Sequence, residues 1–234
     1  MRTEACEASV RLDRREKIVE IAVFLFLIVP SLILSFFANQ QQGVGFVLVA
    51  LATIARDLSL VSLILFFLWR DHQPVPCIGL TLRHGWADAL LGVVLFVPTL
   101  VFTGLLALAL RAAGLSSPAA PPSYLTPTGP AQIVLAFVLV VVVAIAEETI
   151  FRGYLISRFE TVTRSLPWAV VLSALVFSLG HGYEGTAGVA TVAVMGIIFA
   201  LVYVWRQSLV TPMVMHFLQD FLVLVLIPLI GLRM

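Results

Sequence analysis

The sequence predicts an all-α membrane protein, a polytopic bundle of about seven to eight transmembrane helices. Of its 234 residues, 61% are hydrophobic and only 27 are charged, 14 of them basic and 13 acidic. Soluble domains are typically about 25% charged, whereas this chain is 12% charged and has a mean hydropathy of +1.08. A water-facing globular surface is therefore excluded.

Seven apolar runs, separated by polar or proline-containing breaks, are long enough to be transmembrane helices. They cover residues 18–38, 44–69, 87–110, about 136–158, 167–183, 188–205 and 209–232. The breaks include an uncharged loop at 116–130 that is rich in proline, serine, alanine and threonine. These spans fill the chain, so we predict one membrane domain.

The first run follows several basic residues, as a signal peptide does. It is longer than the apolar region of a signal peptide and lacks a clear cleavage site, which predicts an uncleaved first span. We expect a cytosolic segment at 1–17, N-terminal transmembrane helices over 18–130, and later helices that carry the site over 131–232.

The distribution of basic residues predicts a cytoplasmic N-terminus, because Lys and Arg in short loops are retained in the cytoplasm. In that orientation ten basic residues lie inside, and Arg111 and Arg233 lie outside. The ten are Arg2, Arg11, Arg14, Arg15, Lys17, Arg70, Arg83, Arg158, Arg164 and Arg206. We expect an integral protein of the cell membrane. The net charge of +1 and the lack of a long basic run predict no nucleic-acid partner.

Ionisable side chains inside the spans mark candidate functional residues, because each costs about 2.5 kcal/mol or more to insert. Eight are present, and six of them lie in the last 90 residues. They are Arg56, Asp57, Glu147, Glu148, Arg152, His181, His216 and Asp220. We interpret Arg56 and Asp57 as a structural ion pair between helices, with a place in a substrate cavity as the alternative.

The fourth span carries two adjacent glutamates and an arginine. Glu148 and Arg152 are four residues apart, so they share a helix face and can form an ion pair within the membrane. Glu147 points about 100° away, which predicts a carboxylate without a local counter-charge, the setting of a general base. Alternatively, all three residues mark a helix end at the cytoplasmic interface.

Two histidines lie in later spans. His181 follows small residues near the end of the fifth span, and His216 shares a helix face with Asp220 in the seventh. A structural histidine and a simple polar pair are the alternatives. At 1.5 Å per residue, Glu147, His181 and His216 lie at depths that could converge on a cavity between the later helices, open to the cytosol. Glu184 is left out of this site, because the flanking glycines predict a turn at the outer face.

Three motifs carry a family resemblance: Glu147-Glu148-x-x-x-Arg152, Phe177-x-x-x-His181 and His216-x-x-x-Asp220. In this order they resemble those of the CAAX protease and bacteriocin-processing family (CPBP, or Abi) of intramembrane endopeptidases, which includes the type II CAAX prenyl endopeptidase. The resemblance covers about residues 131–232. It implies an endopeptidase that cleaves a membrane-associated or lipidated protein or peptide at the lipid bilayer.

The resemblance also implies roles for these six catalytic-site residues. Glu147 and His181 would activate a water, Glu148 and Arg152 would support the site, and His216 with its helical partner would stabilise the oxyanion. The last motif position is commonly Asn, whereas here it is Asp220. An ionised Asp220 cannot donate a hydrogen bond to an oxyanion, so it is protonated, orients His216, or binds a metal.

Two mechanisms and two other classes of protein stay open. Glu147, His181 and His216 are candidate ligands of a zinc ion, so both glutamate-dependent and metal-dependent hydrolysis are compatible with the sequence. A small-solute transporter is one alternative class, although its polar groups should be spread over two symmetric halves. The other is a membrane immunity or scaffold protein that binds a peptide without cutting it.

Overall fold

The computed structural model describes residues 14–34, 45–118 and 122–230, and over these ranges the chain forms helices and no strands. We number seven main helices in chain order. They are α1 (Arg14–Leu34), α2 (Phe46–Arg70), α3 (Gly85–Ala112), α4 (Pro130–Thr163), α5 (Leu166–Leu179), α6 (Gly185–Arg206) and α7 (Val210–Leu229). Short 3₁₀ turns lie at Val75–Ile78, Ser123–Leu125 and Gly182–Glu184.

Five of these helices are long and apolar enough to cross a membrane in the described part of the chain: α2, α3, α4, α6 with the turn before it, and α7. The surface of α3 explains why a bilayer is needed. Its residues Val97, Val101 and Leu105 are more than half exposed, and such an apolar surface is unfavourable in water. The predicted all-helical membrane class is confirmed, but five membrane-spanning helices are found by these criteria where we expected seven to eight.

Polar contacts between α3 and α6 define the two ends of the bundle. At one end Asp88, near the start of α3, bonds Arg206 at the end of α6 with a distance of 2.9 Å between Oδ1 and Nε. At the other end the amide of Ser116 donates to Thr186 Oγ1 at 2.9 Å, joining the segment after α3 to the start of α6. We call the first the basic end and the second the loop end.

The basic end is held by a network of five charged side chains, four of them buried and the fifth, Arg70, exposed at its edge. Glu20 of α1 accepts a hydrogen bond of 3.0 Å from Arg158 Nε of α4 and also contacts Arg70. Asp71 bonds Arg70 at 2.9 Å and contacts Lys17. Burial opposes ionisation of Asp71, but the hydrogen bonds from Lys17 and Arg70 outweigh it and hold its pKa below the usual range. The network therefore fixes α1 to α2 and α4.

Helix α4 is longer than the predicted span at 136–158. It begins at Pro130, which suits a first helical position, and ends before Arg164, whose φ of 56° is left-handed. Within it, Glu148–Leu155 forms a π-helix, a feature often found at functional sites. The site predicted from the sequence required this helix to continue beyond Arg152, and it does.

Glycine allows a close approach beside this π-helical segment. A Cβ on Gly153 would lie 2.8 Å from the carbonyl oxygen of Ile78, closer than real Cβ atoms come. The 3₁₀ turn Val75–Ile78 therefore packs directly on the backbone of α4. This contact helps to fill the interior at the basic end.

Candidate active site

Glu148 and Arg152 form the predicted ion pair, and both side chains are fully buried. Arg152 Nη1 lies 2.8 Å from Glu148 Oε1. The guanidinium carbon of Arg152 lies 4.3 Å from the ring centroid of Phe177 on α5 and 5.3 Å from that of Phe199 on α6. Two aromatic faces therefore cover the cation. The pair is thus enclosed by three helices.

His216 is bound to the same glutamate. Its Nδ1 lies 2.8 Å from Glu148 Oε1, and because an ionised carboxylate only accepts hydrogen bonds, Nδ1 carries the proton. The other nitrogen, Nε2, lies 3.5 Å from Asp220 Oδ2 and 3.9 Å from Glu147 Oε2. Glu148 therefore links Arg152 to His216, and His216 is oriented by carboxylates on both sides.

Glu147 lies between two nitrogen-bearing side chains. Its Oε1 is 3.7 Å from Arg56 Nη2, and its Oε2 faces His216. Arg56 also bonds Asp57, its neighbour in the sequence, at 2.8 Å. Our expectation that Glu147 has no local counter-charge is therefore wrong. The reason is that α2 packs along α4, which sequence spacing within one helix does not reveal.

His181 lies just beyond the end of α5 and is partly exposed. Its Nδ1 is 3.3 Å from the carbonyl oxygen of Phe177, and since a carbonyl only accepts, Nδ1 donates. Its ring packs against those of Phe177 and Tyr183, with centroid distances of 5.0 and 5.9 Å. This arrangement leaves the Nε2 lone pair as an acceptor.

One cavity of about 700 Å³ brings four of the six candidate residues together: Glu147, His181, His216 and Asp220 all line it. Glu148 and Arg152 do not line it, and they lie behind its wall. We expected a cavity between the later helices only, but side chains from all seven helices line it. The N-terminal helices thus complete the site.

The site predicted from the sequence left out three charged residues that line this cavity: Arg56, Arg111 and Glu184. Glu184 lies in the predicted turn, but that turn forms part of the cavity wall, because α5 has only 14 residues and ends after about 21 Å, short of a full bilayer. Arg56 also lines the cavity, which corresponds to the alternative we kept for it. The signal in the sequence that could have placed Arg56 at the cavity was its charge within an otherwise apolar span.

The cavity reaches the loop end of the bundle. Ser117, Pro118 and Tyr124, from the segment between α3 and α4, are among its lining residues. We expected an opening towards the cytosol, which our charge analysis places at the basic end. The structure puts the cavity in the opposite half.

The three candidate zinc ligands are not arranged as a metal site in the described part of the chain. Among the described residues, no group of three or more His, Cys, Asp or Glu side chains could hold a metal ion. His216 Nδ1 is already hydrogen-bonded to Glu148. The donor geometry of Glu147, His181 and His216 therefore gives no support to a metalloprotease.

The fold and the site define an integral membrane protein whose interior holds a glutamate–histidine–arginine cluster beside a large cavity. Residues 129–222, less than half of the chain, match the family model described as type II CAAX prenyl endopeptidase Rce1-like. This match contains all three motifs and confirms, over that segment, the family resemblance predicted from them. No curated protein and no solved structure matches the chain significantly.

Proposed function

We propose that the protein is an intramembrane endopeptidase that hydrolyses a peptide bond of a membrane-associated protein or peptide. The observation that carries this proposal is the shared cavity of Glu147 and His181, with His216 in its wall. These residues fall in the segment that matches the type II CAAX prenyl endopeptidase model. CAAX-type processing is therefore the reaction class that we assign.

In the proposed mechanism, Glu147 is the general base. It takes a proton from a water that also donates a hydrogen bond to His181 Nε2, and the water oxygen attacks the peptide carbonyl carbon. The carbonyl π electrons move to oxygen and form an oxyanion. When this intermediate collapses, the C–N bond breaks and protonated Glu147 returns its proton to the leaving amine. General acid–base catalysis of this kind contributes about 10²–10⁴-fold.

His216 is proposed to stabilise the oxyanion. Its Nδ1 is committed to Glu148, so it donates towards the cavity only when Nε2 also carries a proton. Asp220, whose Oδ2 lies 3.5 Å from Nε2, then acts as a nearby negative charge that balances the doubly protonated ring while the Nε2 proton is donated to the oxyanion, so an aspartate can serve in place of the usual asparagine. A donor aimed at a developing oxyanion contributes about 3–4 kcal/mol.

We also propose the membrane arrangement predicted from the charges. Helix α1 and the short helix α5, which crosses only part of the bilayer, add to the five long apolar helices and give seven membrane-embedded helices, with the N-terminus in the cytoplasm. This assignment has the support of the positive-inside distribution, which places the basic end in the cytoplasm.

The test compares protein termini in membranes that contain the native protein or Glu147→Ala at equal levels. We expect a set of new termini to appear with the native protein only. Glu16→Ala is the matched control, because Glu16 is an exposed glutamate remote from the cavity. Identical termini in native and Glu147→Ala membranes would contradict the proposed proteolysis.

A further inference from the structure

The proposed mechanism gives the oxyanion one hydrogen-bond donor so far. His216 can donate from Nε2, because its Nδ1 bonds Glu148. Asp220, whose Oδ2 is 3.5 Å from that Nε2, has no proton to donate when it is ionised. Arg152 is fully buried behind the cavity wall, where it bonds Glu148. Since oxyanion holes are usually built from more than one donor, a second donor is expected near His216.

Gln219 lies in the cavity wall on the same helix as His216. The two residues are three positions apart on α7, so their side chains occupy neighbouring parts of one helix face. Gln219 lines the cavity, and its side-chain amide carries two N–H donors. Within the described part of the chain, this amide has no hydrogen-bond partner. It is therefore an unused donor within one helical turn of His216.

Gln219 also lies at the depth of the proposed general base. On α7 it is placed between His216 and Asp220. His216 Nε2 is 3.9 Å from Glu147 Oε2 and 3.5 Å from Asp220 Oδ2, so this turn of α7 is level with Glu147. A water that loses its proton to Glu147, and the carbonyl that this water attacks, must be bound at the same level.

Two threonine hydroxyls in the cavity wall are used within their own helices. Thr103 Oγ1 donates to the carbonyl oxygen of Thr99 at 2.9 Å. Thr191 Oγ1 donates to that of Ala187 at 2.8 Å. Because a hydroxyl has a single proton to donate, neither threonine supplies a donor to a substrate in this arrangement.

Arg111 lines the cavity too far from the reacting centre. Helices α3 and α7 both run from the basic end to the loop end, and they touch where a Cβ on Gly92 would lie 2.8 Å from Val214. Arg111 follows Gly92 by 19 residues, whereas Gln219 follows Val214 by five. At 1.5 Å per residue, this difference places Arg111 about 21 Å further along the bundle.

Two nearer donors lie on other sides of Glu147 and His181. Arg56 Nη2 faces Glu147 Oε1 at 3.7 Å, whereas His216 faces Oε2. Tyr183 packs its ring on that of His181, with centroids 5.9 Å apart, and His181 is the residue assigned to hold the water. Neither donor is on the helix that carries His216.

We propose that Gln219 is a catalytic residue that donates the second hydrogen bond to the oxyanion. As the water oxygen bonds to the peptide carbonyl carbon, the π electrons of the carbonyl move to its oxygen. That oxygen then accepts hydrogen bonds from Gln219 Nε2 and from protonated His216 Nε2. Gln219 keeps both of its protons throughout, and its hydrogen bond weakens when the C–N bond breaks. This inference rests on the proposed endopeptidase function.

The test uses two synthetic peptides that span a cleavage site found in the comparison of protein termini. The second peptide has sulfur in place of the scissile carbonyl oxygen. Gln219→Leu removes the donor at similar size, and Gln219→Glu keeps the shape but has no N–H group. Gln207→Glu is the matched control, because Gln207 is exposed and does not line the cavity; it should keep the native kcat.

With the oxygen peptide, we expect both Gln219 variants to lose about 10²–10³-fold in kcat, the usual effect of removing one oxyanion donor, while KM changes little. Sulfur is a weak hydrogen-bond acceptor, so with the sulfur peptide the ratio of native to variant kcat should fall to about tenfold or less. A merely structural change would slow both peptides equally.

A native kcat in either Gln219 variant would overturn the assignment. Equal losses with the oxygen and sulfur peptides would overturn it as well, and so would a rise in KM at unchanged kcat. Failure of the proposed function has a different signature. In that case native and Glu147→Ala membranes show identical termini, and the role of Gln219 falls with it.

Discussion

His216 and Glu148 are 68 residues apart in the chain, yet His216 Nδ1 lies 2.8 Å from Glu148 Oε1 inside the bundle. The same carboxylate oxygen accepts a hydrogen bond from Arg152. One carboxylate therefore joins the first motif to the third. The Glu148 carboxylate thus has two roles: it balances the charge of Arg152, and it fixes the tautomer of His216.

Replacing Glu148 by Gln should destabilise the protein and lower its activity. The change leaves Arg152 as a buried cation without its counter-charge, and removing one partner of a buried ion pair costs about 3–5 kcal/mol. Thermal unfolding in detergent should detect a lower Tm. Arg152→Lys, which keeps the charge but loses the planar guanidinium, should show a smaller loss; an unchanged Tm for Glu148→Gln would contradict the assigned role.

Replacing Glu147 by Gln should separate chemistry from folding. Its side chain is 14% exposed and lines the cavity, so the isosteric amide can remain solvated there. We expect a loss of turnover of about 10²–10⁴-fold, the usual contribution of a general base, with Tm close to that of the native protein. A Glu147→Gln protein that cleaves at the native rate would exclude Glu147 as the base.

Proteolytic activity should persist after metal removal. Within the described part of the chain, Glu147, His181 and His216 do not form a cluster that could hold a metal ion. The measurement is processing activity after dialysis against a chelator, followed by addition of zinc. We expect less than a twofold change in either step. Loss on chelation with recovery on zinc addition would require a rearrangement of Glu147, His181 and His216.

Contacts within one helix could be predicted from the sequence, whereas contacts between helices could not. The Glu148–Arg152 and His216–Asp220 pairs follow from the four-residue spacing of a helix, and both are present at 2.8 and 3.5 Å. The link between His216 and Glu148 depends on how α7 packs on α4. No periodicity in either span determines that packing.

The extent of the cavity could not be predicted from the sequence for a related reason. Apolar runs locate spans along the chain, but they do not reveal which half of each span faces a void. Thr53 and Thr103 line the cavity, yet isolated threonines in apolar helices are common. The π-helical segment of α4 was also unpredicted, because all eight of its residues are buried, so no alternation of buried and exposed positions marks the change of helix type.

Stability should fall as the pH drops below about 4, the usual pKa of an aspartate, because of Asp71 at the basic end. Its pKa is lowered in the folded protein by hydrogen bonds from Lys17 and Arg70, which outweigh burial. A carboxylate with a depressed folded-state pKa stabilises the fold above its unfolded pKa, and this contribution is lost as the pH falls through the folded value. Tm measured against pH tests this.

Asp71→Asn is the matched variant for that measurement. It should have a lower Tm than the native protein at neutral pH, and the difference should shrink on acidification. Glu16→Gln, which alters an exposed carboxylate on α1, is the control and should leave the pH dependence of Tm unchanged. A constant difference between native and Asp71→Asn proteins at every pH would contradict the assignment.

Arg56 provides a test of the site from outside the matched segment 129–222. Its Nη2 lies 3.7 Å from Glu147 Oε1. About a third of the Arg56 side chain is exposed, and the residue forms part of the cavity wall. We propose that it positions the Glu147 carboxylate, so Arg56→Gln should lower kcat about tenfold, or about 1.4 kcal/mol in transition-state energy, while KM changes little. Arg56→Lys keeps the charge and should recover part of kcat. A rise in KM with unchanged kcat would instead assign Arg56 to substrate binding, and a fall in Tm alone would leave it a purely structural partner of Asp57.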